Sequence, residues 1–264
     1  MPGAVVITRP RAQALPLAER VTALGRRAEM LPLLDISPLP DTAQLRAVLA
    51  RLPQFALVAF VSPNAIDAAF AHIAQLHGAW PAGVTLAVVG EGSRAALAAH
   101  GITPETAHIV SPLDPVHSDS EHLMQALDLP ALNGKEVLIV RGESGRELMA
   151  DGFRAAGANV TVLPAYRRSV PQLTPGFAAR LQALLAEPND WIVTSSEALR
   201  GLFMLLEELA CSAACEDVVA KMQQQHLIVP HARIAETARL LGLTRLTLTG
   251  SGDERLLAAL QSRP

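Results

Sequence analysis

Short runs of apolar residues, set between longer stretches in which apolar positions recur at helical spacing, organise most of this chain. The runs centre near residues 5, 29, 57, 85 and 107, and again near 137, 160, 191, 227 and 246. A few consecutive apolar residues bounded by turn formers predict a strand buried on both faces. Between the runs, Leu45-Val48-Leu49-Leu52 and Phe177-Leu181-Leu184-Leu185 each mark one face of a helix, and Thr42 and Thr174 stand before them as N-caps should. Strands alternating with helices in this way predict an α/β fold with parallel sheets covered on both sides.

The pattern also repeats. VVITRP from Val5 is matched by VLIVRG from Val137, 132 residues on, which sets Arg9 over Arg141. The same offset carries Gly25 to Gly157, AEMLPLL to VTVLPAY, and Thr42 to Thr174. LVAFVSPNAI from Leu57 matches WIVTSSEAL from Trp191, with Ser62 over Ser195. LAVVGEGSRAALAAHG from Leu86 matches LIVPHARIAETARLLG from Leu227, with Gly90 over His231, and SDSEHLMQAL from Ser118 matches SGDERLLAAL from Ser251 as a capped terminal helix. Two such repeats predict two flavodoxin-like parallel-sheet lobes, with a division near residue 132 if each repeat folds by itself. Ligands of these sheets bind beyond the carboxyl ends of the strands, where loops lead into helix N-termini. The loops at Arg9, Ser62, Gly90, Arg141, Ser195 and His231 all occupy that end, and two lobes facing each other would form one cleft.

Composition narrows the chemistry. Half the residues are hydrophobic but only 3% are aromatic, so the cores are expected to be built of Ala, Leu, Val and Ile. A formal net charge of −3 gives no diffuse attraction to nucleic acid or anionic lipid. Of 22 cationic residues only Lys135 and Lys221 are lysine. Arginine suits bidentate contacts to carboxylates, although a codon bias toward arginine and alanine accounts for the same count. The opening MPGAVVITRP has no basic region followed by a long apolar run, and no stretch reaches the roughly 18 apolar residues of a membrane span, so the expectation is a soluble, cytoplasmic protein. Cys211 and Cys215 read as reduced packing residues in a helix, and the histidines lack zinc-site spacing, so nothing requires a metal.

Two glycine-rich segments are candidates for ligand loops. Gly90-Glu91-Gly92-Ser93-Arg94-Ala95 has the outline of a dinucleotide fingerprint, but no acid follows about 20 residues on, at Ile109 to Ser111. Gly142-Glu143-Ser144-Gly145-Arg146 lacks the Gly-Lys-Ser/Thr of a P-loop and fits a carboxylate better. No Gly-x-Ser-x-Gly occurs, so a hydrolase nucleophile elbow has no support.

TRP (Thr8 to Pro10), VSPNAI (Val61 to Ile66), VVGEGSRAAL (Val88 to Leu97), SEHL (Ser120 to Leu123), VLIVRGESGRELM (Val137 to Met149) and LPAYRR (Leu163 to Arg168) together resemble the ordered blocks of the uroporphyrinogen-III synthase family, across Val5 to Leu260. The resemblance implies a cofactor-free reaction on the linear tetrapyrrole hydroxymethylbilane: water leaves, ring D attacks through its substituted carbon, and a spiro intermediate recombines with that ring inverted. It also implies that the chain crosses twice between its lobes through a two-stranded connector, LLDISPLP (Leu33 to Pro40) and YRRSVPQ (Tyr166 to Gln172). The lobes would then be residues 1–34 with 169–264, and 35–168; the repeats alone do not choose between this and the cut near 132.

In such an enzyme Tyr166, the only tyrosine, would be the catalytic donor to the departing hydroxyl. Thr8, Arg9, Ser62, Asn64, Gly90, Ser93, Arg141, Gly142, Ser144, Ser195, Ser196, His231 and Arg233 would bind substrate. Each has a plainer alternative. Arg9 and Arg141 can pair with neighbouring acids, the serines can act only as N-caps whose removal has little catalytic effect, and Tyr166 can simply close the end of a strand. PHARIA, at His231 and Arg233, departs from the glycine- and threonine-bearing form common in the family. The expected protein is a monomer that binds no nucleic acid, membrane, cofactor or metal and makes a transient contact with the preceding enzyme of its pathway. A nucleotide-dependent enzyme using Gly90 to Ala95 and a two-lobed small-molecule-binding protein are the rival readings.

Overall fold

The computed structural model describes residues 3–114, 119–213 and 217–262. In chain order the elements are β1 (Val5–Ile7), α1 (Arg11–Ala23), β2 (Ala28–Met30), β3 (Asp35–Pro38), α2 (Ala43–Leu49), β4 (Leu57–Phe60), α3 (Pro63–His77), β5 (Thr85–Val88), α4 (Glu91–Ala99), β6 (Ile109–Val110) and α5 (Ser120–Ala126). There follow β7 (Glu136–Gly142), α6 (Leu148–Ala155), β8 (Asn159–Ser169), α7 (Pro175–Leu185), β9 (Asp190–Ile192), α8 (Ser196–Ala213), α9 (Val218–Gln223), β10 (His226–Val229), α10 (Ala232–Leu240), β11 (Leu246–Leu248) and α11 (Asp253–Gln261).

They form two compact units. The first comprises the chain up to Asp35 and from Ser169 onward, and the second is Ile36–Arg168. Sheet order in the first is β2-β1-β9-β10-β11; in the second it is β8-β7-β4-β5-β6, with β3 on the edge beside β8. Numbered by place in the sequence repeat, both five-strand sets run 2-1-3-4-5, the flavodoxin-like order. Each repeat thus lends its first two strands to a sheet whose last three come from the other. Parallel pairing of β1 with β9, and of β7 with β4, makes the exchange. A cut near residue 132 would part β4 from β7, which pair from Leu57↔Val137 to Phe60↔Val140, so that division is wrong.

Alternation along the strands fills a core on each face. In the first unit Val5 and Ile7 join α1 and α11 through Leu17, Val21 and Leu256. Val6, Trp191 and Val229 turn the other way onto α7, α8 and α10 through Leu181, Leu202 and Ile234. In the second unit Val58, Phe60 and Val140 meet α3 and α4 through Ile66 and Leu97, and Ala59, Val137 and Ile139 meet α5 and α6 through Leu123, Met149 and Phe153. Burying a side chain of this size contributes about 1.5–3 kcal/mol, so each two-faced sheet is held by its own core.

The caps depart from the sequence expectations in detail. Thr174 accepts from the N–H of Phe177 as predicted. Thr42 makes no side-chain cap bond, and Asp41 instead accepts from the N–H of Ala43 at 2.8 Å. Ser118 lies outside the described residues; α5 is capped by Asp119, which accepts from the N–H of His122. α11 opens on Gly252 without a side-chain cap. Cys211 is exposed rather than packed, being on the outer face of α8, and Cys215 lies outside the described residues.

Candidate active site

In each sheet the strand order reverses next to one pair of strands, β1 and β9 in the first unit, β7 and β4 in the second. The crevice beyond such a pair is the usual ligand position. Both switch points are lined by residues singled out from the sequence.

In the first unit these side chains largely satisfy one another. Thr8 is buried, and its hydroxyl donates to the Ile192 carbonyl at 2.9 Å, strapping β1 to β9. Arg9 donates to Asp253 at 2.7 Å, and that acid sits in the first turn of α11, where the helix dipole also favours it. The plainer alternative for Arg9, an ion pair with a neighbouring acid, is therefore what this structure contains. Ser195 accepts from the N–H of Ala198 at 3.2 Å, a capping bond. Ser196 is buried and accepts from Thr237 at 3.1 Å. His231 precedes α10 without capping it and lies 3.5 Å from the hydroxyl of Ser251, while Arg233 is exposed on the first turn of that helix.

In the second unit Ser62 caps α3, accepting from the N–H of Ala65 at 3.2 Å, and its hydroxyl oxygen also lies 3.1 Å from that of Tyr166. Tyr166 is only 4% exposed. Ser62 is half-buried, so it is the more open member of the pair. A bulge creates this arrangement. β7 and β8 pair Arg141 with Pro164 but Gly142 with Tyr166, skipping Ala165. The tyrosine ring then lies over Gly142, where an added Cβ would stand 3.2 Å from Cζ and 3.4 Å from the phenol oxygen. A side chain at 142 would therefore press on the Tyr166 ring, whatever Gly142 does for a ligand. Gly90 has an extended backbone and opens α4, Ser93 is buried in its first turn, and Asn64 is half-buried in the first turn of α3.

Arg141, the penultimate residue of β7, donates to Glu147 Oε1 at 2.6 Å and to the Arg146 carbonyl at 3.0 Å. Arg168 donates to both the carbonyl and the hydroxyl of Ser144, at 2.9 and 3.1 Å. Arg167 makes a two-bond fork to Glu143, at 2.7 and 3.1 Å, and Arg146 pairs with Glu121. The Arg167 hydrogen bonds hold the Glu143 carboxyl below its usual range and raise the Arg167 guanidinium in return. Hydrogen bonding from Arg146 lowers Glu121, against the opposing effect of burial. Sequence reasoning singled out neither Arg167, Arg168 nor the three glutamates. The double arginine of LPAYRR was visible, but its partners lie across a strand pair.

These edges can bind anions and move a proton. The first turns of α3, α4, α8 and α10 present backbone N–H groups beyond the strand ends. The Ser62–Tyr166 pair can pass a proton, since either oxygen can donate to the other. Among the described residues no group of three or more His, Cys, Asp or Glu is placed to hold a metal ion. No described helix is long and apolar enough to cross a membrane.

A family model described as uroporphyrinogen-III synthase HemD matches residues 16–249. The uroporphyrinogen-III synthase of Escherichia coli K12 is 30% identical over 264 residues, covering 97% of this chain and 99% of the relative. That of Salmonella typhimurium is 30% identical over 265 residues, with the same coverage. Two solved structures share the fold: a mutant uroporphyrinogen III synthase from Thermus thermophilus, at 15% identity and a TM-score of 0.59, and the uroporphyrinogen-III synthetase of Helicobacter pylori, at 15% and 0.56. Both alignments cover 99% of this chain and 100% of the other.

Proposed function

This chain belongs to the uroporphyrinogen-III synthase family, and on that premise we propose that it cyclises hydroxymethylbilane, with loss of water and inversion of ring D, to uroporphyrinogen III. The observation that carries the proposal is the near full-length match, which takes in both units rather than one fold module. The atoms balance without an external reactant. The hydroxyl leaves as water, taking up a proton, and the ring-forming pyrrole gives one up as its carbon becomes aromatic again.

The bilane closes unaided to the uninverted isomer, so the protein's task is to fold the chain of pyrroles and to stabilise the cation that water leaves behind. Orientation and fixed dipoles can supply both. We assign the acetate and propionate carboxylates of the substrate to Arg9, Arg141, Arg233 and His231 and to the loops containing Thr8, Asn64, Gly90, Ser93, Gly142, Ser144, Ser195 and Ser196, as anion positions at strand ends. Departure of the hydroxyl is assisted by Tyr166 acting through Ser62. A phenol hydroxyl is a hydrogen-bond donor and can serve as a general acid. Because the phenol is buried and the serine is more open, the proton reaches the leaving group from the Ser62 hydroxyl while Tyr166 replaces it.

The same proposal includes a cytoplasmic monomer that receives its short-lived substrate through transient contact with the preceding enzyme, supported by the ease with which free bilane closes wrongly. The purified protein mixed with fresh hydroxymethylbilane should give type III uroporphyrinogen without added metal or nucleotide, as resolved by isomer separation after oxidation. Type I alone, with or without additions, would refute the assignment.

A further inference from the structure

Three arginines converge on the short loop after β7, residues 143–147, which contributes a fourth, Arg146. Arg141 binds its far end through Glu147 and the Arg146 carbonyl, Arg167 binds Glu143 at its near end, Arg168 binds Ser144, and Arg146 turns outward to Glu121. The cations outnumber the three carboxylates they meet. All three acids are open to water, with Glu121, Glu143 and Glu147 at 42%, 38% and 49% exposure. Ion pairs so exposed add little to stability and are readily exchanged.

Arg141 differs. Its side chain is only 15% exposed. The residue lies one position from the carboxyl end of β7, a strand of the switch point. Arg167 and Arg168 follow Tyr166 directly on β8, so the cluster adjoins the proposed proton donor. The Arg141 and Arg167 guanidiniums are held in place by internal carboxylates whose chemistry is that of the substrate's own side chains, and Arg168 by the carbonyl and hydroxyl of Ser144.

We infer that Arg141, Arg167 and Arg168 form a polycarboxylate site in which acetate or propionate groups of the tetrapyrrole displace Glu143 and Glu147 and take over their hydrogen bonds. This rests on the activity proposed above and extends it to Arg167 and Arg168, which lie outside the matched strand-end pairs. The exchange conserves hydrogen bonds, because a carboxylate replaces a carboxylate on the same donors. Glu143 keeps the Arg167 fork ordered in the free protein and Glu147 does the same for Arg141, so little side-chain freedom remains to be lost on binding.

The test is binding of anaerobically maintained uroporphyrinogen III, together with hydroxymethylbilane kinetics, across a salt series. In the double variant Glu143→Gln, Glu147→Gln the internal competitors lose their charge, and Kd should fall about three- to tenfold at low salt. Arg167→Gln, at an exposed position, should raise Kd about tenfold and flatten its salt dependence. If the glutamine double variant binds no tighter than the parent, or Arg167→Gln binds as well as the parent, the site is refuted. The parent's isomer product separates the two levels. Type III product with unaltered binding in the variants overturns the site alone, whereas type I product overturns the activity.

Discussion

The two sheets have one strand order and carry their densest ion-pair networks at opposite ends. In the first unit the dense network lies where β9 and β10 begin. Arg26 donates to Asp190 at 2.8 Å, the other oxygen of Asp190 accepts from His226 Nδ1 at 2.8 Å, and His226 Nε2 meets Thr247 at 2.9 Å. These ionisable side chains are 9–13% exposed. In the second unit the network lies where β7 and β8 end, and most of its ion-pair members are 38–51% exposed. Buried polar groups that satisfy one another at the amino ends of strands hold a sheet together. Half-exposed ones at the carboxyl ends, with partners they can exchange, are able to bind a ligand.

The contrast predicts its largest effect far from any proposed chemistry. Asp190→Ala leaves His226 and Arg26 without their shared acceptor, and breaking a buried pair typically costs about 3–5 kcal/mol. We expect unfolding in denaturant to show a loss of about 3 kcal/mol, with the enzyme that remains folded still forming the type III isomer. A loss under about 1 kcal/mol, or a changed isomer ratio, would mean that the network does not hold the sheet together.

Tyr166 tests the other side of the comparison. Tyr166→Phe removes a hydroxyl bonded to Ser62 but keeps the ring above Gly142. It should lower kcat about ten- to a hundredfold, preserve folding and keep the type III product, because isomer choice depends on how the substrate is folded. Ser62→Ala should lower kcat to a similar degree and cost about 1 kcal/mol of stability as a lost cap. The double variant should be little worse than either single one, since the pair acts as one donor. Unchanged turnover in Tyr166→Phe, measured where chemistry limits the rate, would reduce Tyr166 to a packing residue.

Much of this architecture was legible in the sequence because it depends on local pattern. Apolar runs marked the strands, and the repeat placed Arg9 and Arg141 at equivalent strand ends. Repeat arithmetic failed at the division near residue 132, since equivalence in sequence says nothing about which repeat supplies a strand's neighbour. The two arginines failed to separate for the same reason. Arg141 finds its acid six residues away and Arg9 finds Asp253 244 residues away, and only the folded chain distinguishes a loop clasp from a strut between distant elements. Nor could spacing reveal the Ser62–Tyr166 bond, which depends on a bulge that skips Ala165.

The smallest predicted effect asks whether the second unit's clasp exists in solution. Arg167 donates two hydrogen bonds to Glu143 and holds that carboxyl below its ordinary range. A carboxyl whose pKa is lower in the folded than in the unfolded state adds stability at any pH above its unfolded value. That contribution is lost as pH falls through the folded value, so the clasp should stay shut at neutral pH and open only below the ordinary glutamate pKa of about 4.3. Because the pair is open to solvent, the melting temperature should hardly register the opening. The side-chain carboxyl carbon of Glu143, followed by NMR, should instead titrate below the ordinary value in the parent and return to it in Arg167→Gln. An equal midpoint in both proteins would show that the fork does not form in solution. The loop after β7 would then be as free of internal carboxylates as any surface turn, and the contrast between exchangeable and structural polar networks would lose its best-defined member.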